Sequence, residues 1–225
     1  MSQSVFLTRH GQRIDAVVKD WKSLPGCPGS LHLSPHGIEQ ARALAERLAG
    51  EQVGRIFASP FYRTVQTANV IAELLNVPVC IERGVCEFLQ PRYFPGPMVV
   101  TPPEELAKTF QKVDLSYRSI MDPQPPETQE DCYRRAGQAT ARLVAACGDS
   151  FLVVSHGQPI RGMVYELLGA RPELNASVEC GLTELVHTPE GWLLEHNGED
   201  SHLPPRPDTW PGRSPIPRDR HGKRA

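Results

Sequence analysis

The chain has 225 residues, with 24 Lys and Arg set against 26 Asp and Glu, and 40% of its side chains are hydrophobic. That length can bury a sizeable core, and the composition is globular, which excludes a disordered or fibrous chain. A formal charge of −2 leaves no basic footprint for nucleic acid, and no apolar run approaches the ~20 residues that cross a bilayer, so neither partner is expected.

The first residues reach Arg9 and His10 before any apolar signal region forms, so no secretory leader is expected. Six cysteines (Cys27, Cys80, Cys86, Cys132, Cys147, Cys180) lie scattered without Cys-x-x-Cys pairs, and the histidines show no metal-ligand spacing. These features point to free thiols in a reducing, cytoplasmic compartment, with no metal and no cofactor.

Val5-Phe6-Leu7 is a short apolar run ending at polar Thr8-Arg9-His10-Gly11, as a buried strand entering a loop would. Ser34 can cap a helix and Pro35 suits its first position. Ile38, Ala41, Leu44, Ala45 and Leu48 then share one face, with Gly50 as the stop. Arg55 to Ala58 reads as a second strand, closed by Ser59-Pro60. A helix follows on Val65, Ala68, Ile71, Ala72 and Leu75 and ends at Asn76, and Val77 to Ile81 is a third strand.

The proline- and aromatic-rich stretch from Phe88 to Pro103 reads as a long loop. Helices are predicted over 103–113 and 128–147, the second with Cys132, Ala136, Ala139, Leu143 and Ala146 as its apolar stripe. Phe151 to Val154 is the most hydrophobic strand and ends at Ser155-His156-Gly157. A helix spans Gln158 to Leu168, and Thr183–His187 pairs with Trp192–Glu195 as a hairpin. Residues 1–198 form one expected domain and 199–225 a flexible tail, whose basic residues from Arg206 onward read as a solvated end rather than a dock for an acidic partner.

Alternating strands and helices predict a three-layer α/β sandwich with a mostly parallel central sheet flanked by helices. In such sheets ligands sit beyond the carboxyl ends of the strands, at a switch in strand order. The chemistry-bearing residues fall there. Arg9-His10-Gly11 follows the first strand and Ser155-His156-Gly157 the fourth. Arg63 and Thr67 lie just inside the helix after Ser59-Pro60, Glu87 follows the third strand, and Arg13 is three residues past His10. Three guanidiniums and two imidazoles on one rim would bind a phosphate dianion, because guanidinium stays charged and offers paired donors to two oxygens. A helix N-terminus behind His156 would add backbone donors. Each motif alone is as readily structural; their order together is specific.

With those motifs in that order, the sequence resembles the histidine phosphatase superfamily, the phosphoglycerate-mutase-like group, over about residues 4–196. The resemblance implies His10 as nucleophile, Arg9 and Arg63 as phosphate-binding arginines, His156 as the second histidine and Glu87 as proton donor. Arg13, in Arg9-His10-Gly11-Gln12-Arg13, is similar to the extra arginine of one branch. That branch holds ecdysteroid-phosphate phosphatases and the phosphatase domains of ubiquitin-associated, SH3-containing signalling regulators. The implied activity is a metal-independent, cofactor-free phosphomonoesterase working through a phosphohistidine on a phosphorylated small molecule or phosphopeptide. Beside phosphate, Glu87 should have a raised pKa.

Two other readings stay open: a cofactor-dependent phosphoglycerate-mutase-type phosphotransferase, and a non-catalytic phospho-ligand-binding module on the same fold. Gln12-Arg13-Ile14-Asp15 stands where the mutases carry a small polar residue and then Asn, and Gly157 stands where the acid-phosphatase branch carries Asp. A homodimer is also left open. Trp21 and loop 88–103, with Phe88, Tyr93, Phe94 and Met98, would form either an apolar leaving-group pocket or a lid. His32 and His36 read as surface residues, and His187 and His196 as structural groups on the hairpin.

Overall fold

A computed structural model describes residues 3–24, 30–92 and 100–206. Its centre is a six-stranded sheet made of β1 (Ser4–Arg9), β2 (Ile56–Ala58), β3 (Val79–Ile81), β4 (Phe151–Ser155), β5 (Leu182–Thr188) and β6 (Gly191–Glu199). The spatial order is β3-β2-β4-β1-β5-β6. The first four strands in that order run parallel, and β5 and β6 are antiparallel, as the predicted hairpin requires. The chain is therefore an α/β sandwich with a mostly parallel sheet.

Period-two alternation assigns the two faces. Phe6, Ile56, Ala58, Leu152 and Val154 pack in one core cluster with α1 (Pro35–Leu48) and α2 (Tyr62–Leu75). Val5, Leu7, Phe57, Phe151 and Val153 pack in the other with α4 (Gln129–Ala146) and α5 (Gly157–Leu168). All five residues of β4 are buried, which is why it reads as a continuous apolar run rather than an alternating one.

Helix ends follow their side chains. Ser34 caps α1 by accepting from the Gly37 amide, and Thr128 and Asp131 form a reciprocal capping box on α4. Asn76 closes α2 in a left-handed conformation, with φ 53°. The region expected to be helical over 103–113 keeps only one short helix, α3 (Pro103–Leu106). Beyond it the backbone around Lys112 to Asp114 bonds to Val79 on the edge of β3, and that pairing displaces the helix.

His36 corrects another expectation: it is buried on α1 rather than at the surface. Its spacing, one residue before Gly37, places it where α1 meets the loop after β1. Strand β6 reaches Glu199, one residue past the expected domain boundary. Cys27, Tyr93, Phe94, Met98 and the tail from 207 lie outside the described residues, and the five described cysteines are free thiols. No described helix is long and apolar enough to cross a membrane.

Candidate active site

The parallel pairing of β1 with β4 sets Arg9 opposite Ser155, so His10 and His156 leave adjacent strands side by side. Between these strands the chain order switches: β1 connects outward past β4 to β2, and β4 later returns between them. The two imidazoles meet edge to face with ring centroids 5.3 Å apart. The loop after β1 lies against the start of α1 so closely that a Cβ on Gly11 would sit 2.5 Å from the Gly37 carbonyl oxygen. Glycine is needed at both positions for that approach. The Gly11 amide donates to Thr67 Oγ1, and Gln40 Oε1 accepts from the Gln12 amide, so α1 and α2 together fix the loop.

His10 is buried, and its Nδ1 lies 2.8 Å from its own loop's Gly11 carbonyl oxygen. A carbonyl can only accept, so Nδ1 carries the proton and Nε2 keeps its lone pair. Burial, His156, Arg63 and Arg9 together push the imidazole well below its ordinary value, outweighing the Gly11 hydrogen bond. His10 is a neutral base with one free nitrogen.

His156 is clasped from both sides: Nε2 lies 2.8 Å from Ser59 Oγ and Nδ1 3.1 Å from Glu87 Oε2. Burial pushes it down to about 4, against the opposing pull of the Glu87 carboxylate. Nδ1 thus sits between the Glu87 carboxylate and Arg63 Nη2, which lies 3.2 Å away, and the Ser59 hydroxyl serves Nε2. Arg63, on the first turn of α2, donates from Nη2 to the same Glu87 oxygen at 3.2 Å. Its guanidinium lies 4.8 Å from the Phe61 ring centroid, and that ring also meets His156 edge to face. Burial lowers Arg63 to about 10, so it stays charged, and its Nε is buried with no hydrogen-bond partner. Arg63 is thus a charged group with an unused donor beside a neutral imidazole.

Glu87 departs from the sequence expectation. Burial works to raise its carboxyl, but His156, Arg63 and the Phe88 amide outweigh that and hold it well below the usual carboxylate range. It is an ionised group that bridges Arg63 and His156. Arg9 and Arg13 stand farther out. Arg9 donates to the Ser177 carbonyl at 2.5 Å, and Arg13 uses Nε and Nη2 in a two-pronged pair with Asp15, both at 3.0 Å. Each still reaches the centre electrostatically, Arg9 depressing both imidazoles and Arg13 depressing Arg63. His10, His156, Arg63 and Glu87 therefore stand in one cluster, and Arg9 and Arg13 lie outside it with partners of their own.

The sequence reading gave no role to Ser59, Asp15, Ser177 or the buried pair Glu127 and Arg135. Ser59 had a signal, since it directly follows β2 as His156 directly follows β4. Trp21 packs edge to face on His32. Beside Arg63 opens a cavity of about 230 Å³, lined by Leu31, Pro60, Phe61 and Thr101 among others. His187 and His196 sit on the hairpin, against Trp192 and among charged neighbours respectively.

Paired imidazoles, a buried arginine and a glutamate thus stand together at a strand-order switch of an α/β sheet. The family model for the histidine phosphatase superfamily (branch 1) matches residues 5–200, and the chain belongs to that family, whose members are phosphatases or mutases. Among curated relatives, the transcription factor tau 55 kDa subunit of Saccharomyces cerevisiae is 34% identical over 138 residues, 59% of this chain and 32% of that protein. Mouse ubiquitin-associated and SH3 domain-containing protein A is 28% identical over 218 residues, 80% of this chain and 34% of that protein. The chain thus spans about a third of the length of these relatives. Among solved structures, the Bombix mori ecdysone phosphate phosphatase in complex with tungstate superposes with a TM-score of 0.75 at 21% identity, covering 94% of this chain and 97% of that one. At that identity the likeness speaks for the fold.

Proposed function

We propose that this protein is a phosphomonoesterase that hydrolyses a phosphate ester through a phosphohistidine on His10, without a metal. The observation that carries the reading is His10 itself, buried and neutral, with Nδ1 committed to Gly11 and a free Nε2 beside His156 and the orphaned Arg63 donor. Nε2 attacks phosphorus, and the P–N bond forms as the P–O bond to the leaving group breaks. Arg63, with Arg9 and Arg13, neutralises the equatorial oxygens, neutral His156 offers them a hydrogen bond, and the N-terminus of α5, which starts directly after His156, adds its positive dipole end.

The leaving oxygen takes its proton from Glu87. That carboxyl acquires the proton when substrate binds, because an incoming dianion takes over Arg63 and His156 and adds negative charge beside it. In the second half, water attacks the phosphohistidine, Glu87 accepts the water proton, and phosphate leaves. The similarity to tungstate-binding ecdysone phosphate phosphatase supports an oxyanion pocket. The substrate class is a phosphorylated small molecule or phosphopeptide, and we place the protein in the cytoplasm. The test is p-nitrophenyl phosphate turnover with and without EDTA, together with trapping of acid-labile, base-stable phosphate. Turnover indifferent to EDTA with label lost in His10→Ala supports the reading. No turnover of any phosphate ester by the wild-type protein overturns it.

A further inference from the structure

The backbone that carries Glu87 belongs to no helix or strand beyond a single 3₁₀ turn at Arg83–Val85. Loops of that kind are ordinarily mobile. Here each carbonyl from Gly84 to Glu87 is taken by a side chain. Arg135 on α4 donates from Nη1 to the Gly84 carbonyl at 2.7 Å and the Cys86 carbonyl at 3.2 Å, and from Nη2 to the Glu87 carbonyl at 3.1 Å. Ser155 Oγ, at the end of β4, donates to the Val85 carbonyl at 2.7 Å. On the other side, Glu127 Oε1 accepts from the Leu89 amide at 2.8 Å, while both its oxygens pair with Arg135 at 2.6 and 3.0 Å.

Arg135 and Glu127 are both buried, their side chains 7% and 3% exposed. A buried ion pair is weak evidence for stability, because an apolar pair of like volume often serves as well. What an apolar pair cannot do is hold three carbonyls and one amide of a single loop in fixed positions. Only a guanidinium fork has enough directed donors for that geometry.

We propose that Arg135, oriented by Glu127, is a positioning residue for proton transfer: it fixes the backbone at 84–89 so that the Glu87 carboxylate reaches the Arg63 and His156 donors and the leaving-group oxygen. The proposal rests on the phosphatase reading for its catalytic consequence, but its geometric content stands apart from turnover. Neither residue touches His10, His156 or Arg63 in the hydrogen bonds and ion pairs described, so phosphate binding is left to the other groups.

Two variants test it. Arg135→Lys keeps charge opposite Glu127 and loses the fork, and the double variant Arg135→Met with Glu127→Leu replaces the pair by apolar volume. The first readout is the carboxyl ¹³C titration of Glu87, assigned by its loss in Glu87→Gln. The expected result is a shift upward, toward the ordinary carboxylate range, as the side chain drifts from Arg63 and His156. The second is the ratio of kcat on an alkyl phosphate to kcat on p-nitrophenyl phosphate. It should fall by about tenfold, because only the alkyl leaving group needs the proton, while the orthovanadate inhibition constant stays within about threefold.

A folded variant with an unchanged Glu87 titration overturns the proposal, as does equal loss on both esters. Failure of both variants to fold makes the pair structural and also overturns it. A wild-type protein that turns over neither ester defeats the phosphatase reading instead, and the titration then decides the positioning role alone.

Discussion

The rim of β1 and β4 and the β5–β6 hairpin each gather histidine, arginine and glutamate, yet they differ in what surrounds the charges. On the hairpin, Arg47 at the last turn of α1 faces Glu51 at 3.2 Å and Glu199 at 3.4 Å, and His196 lies 3.7 Å from both Glu184 and Glu199. Arg47 and His196 have side chains 25% and 33% exposed, so water screens what the partners do not neutralise. On the rim, His156 and Arg63 are 1% and 8% exposed, and Arg63 retains an unpaired donor. Near the hairpin the same residue types meet opposite charges in partial contact with water. On the rim they are almost fully buried, and both imidazoles are pushed well down.

The largest expected effect falls on the nucleophile. His10→Ala removes the covalent route, and kcat should drop by on the order of a thousandfold or more, with no trapped phosphate. Phosphoenzyme at wild-type levels in His10→Ala would erase the distinction between rim and hairpin at its central residue. Arg63→Lys comes next. It keeps the charge but loses the planar fork that serves Glu87 and leaves Nε free for an oxyanion, so kcat/KM should fall by about 10²-fold. Steady-state kinetics and tungstate inhibition check this together; full activity in the lysine variant would remove Arg63 from the site.

How much of this contrast was legible follows from where each signal lives. His10 and His156 were readable because each ends an apolar strand with His-Gly, and parallel strands must open on one rim. The sheet and four of its long helices were readable from period and caps, such as Ser34-Pro35 and Asn76. The helix over 103–113 was misread because its competitor, pairing with the edge of β3 at Val79, is a long-range contact that no local pattern encodes. The low pKa of Glu87 was missed for a like reason: the expectation weighed phosphate as the partner of Arg63 and His156 and not Glu87 itself, whose contacts with them are made across the fold. Arg135 was hidden because a charged residue on an amphipathic helix reads as solvated until the loop it grips is known.

The proposed exchange of partners at Glu87 predicts a proton linkage confined to the rim. In the free site the carboxyl is ionised far below neutrality; with an oxyanion bound its pKa is higher. A group whose pKa rises on binding takes up protons, so tungstate affinity should increase as pH falls from 8 to 5, by at most about tenfold per pH unit where uptake approaches one proton. Calorimetry in two buffers of different ionisation enthalpy measures the uptake directly. Glu87→Gln should abolish most of it; uptake undiminished in that variant would assign the proton to His10 or His156 instead.

The smallest expected effect belongs to the hairpin, and it is the control for the whole comparison. The rise of 1.5 Å per residue places Arg47, twelve residues along α1 from Pro35, roughly 18 Å from the helix end that meets the His10 loop. Arg47→Ala removes its contacts to Glu51, Glu199 and His196, and it leaves those groups partly exposed, able to regain water. Partly exposed pairs are worth about 0–1 kcal/mol each, so the loss should be near 1 kcal/mol, a fall in Tm of about 2–4 °C for a chain of this size. Raising the salt should shrink the difference between wild type and variant, since screening already discounts the pair. Turnover should stay within about twofold of wild type, because no group on the rim loses a partner. A drop in kcat beyond tenfold with little change in Tm would show the hairpin network acting on the site through α1, and the two clusters would have to be treated as one.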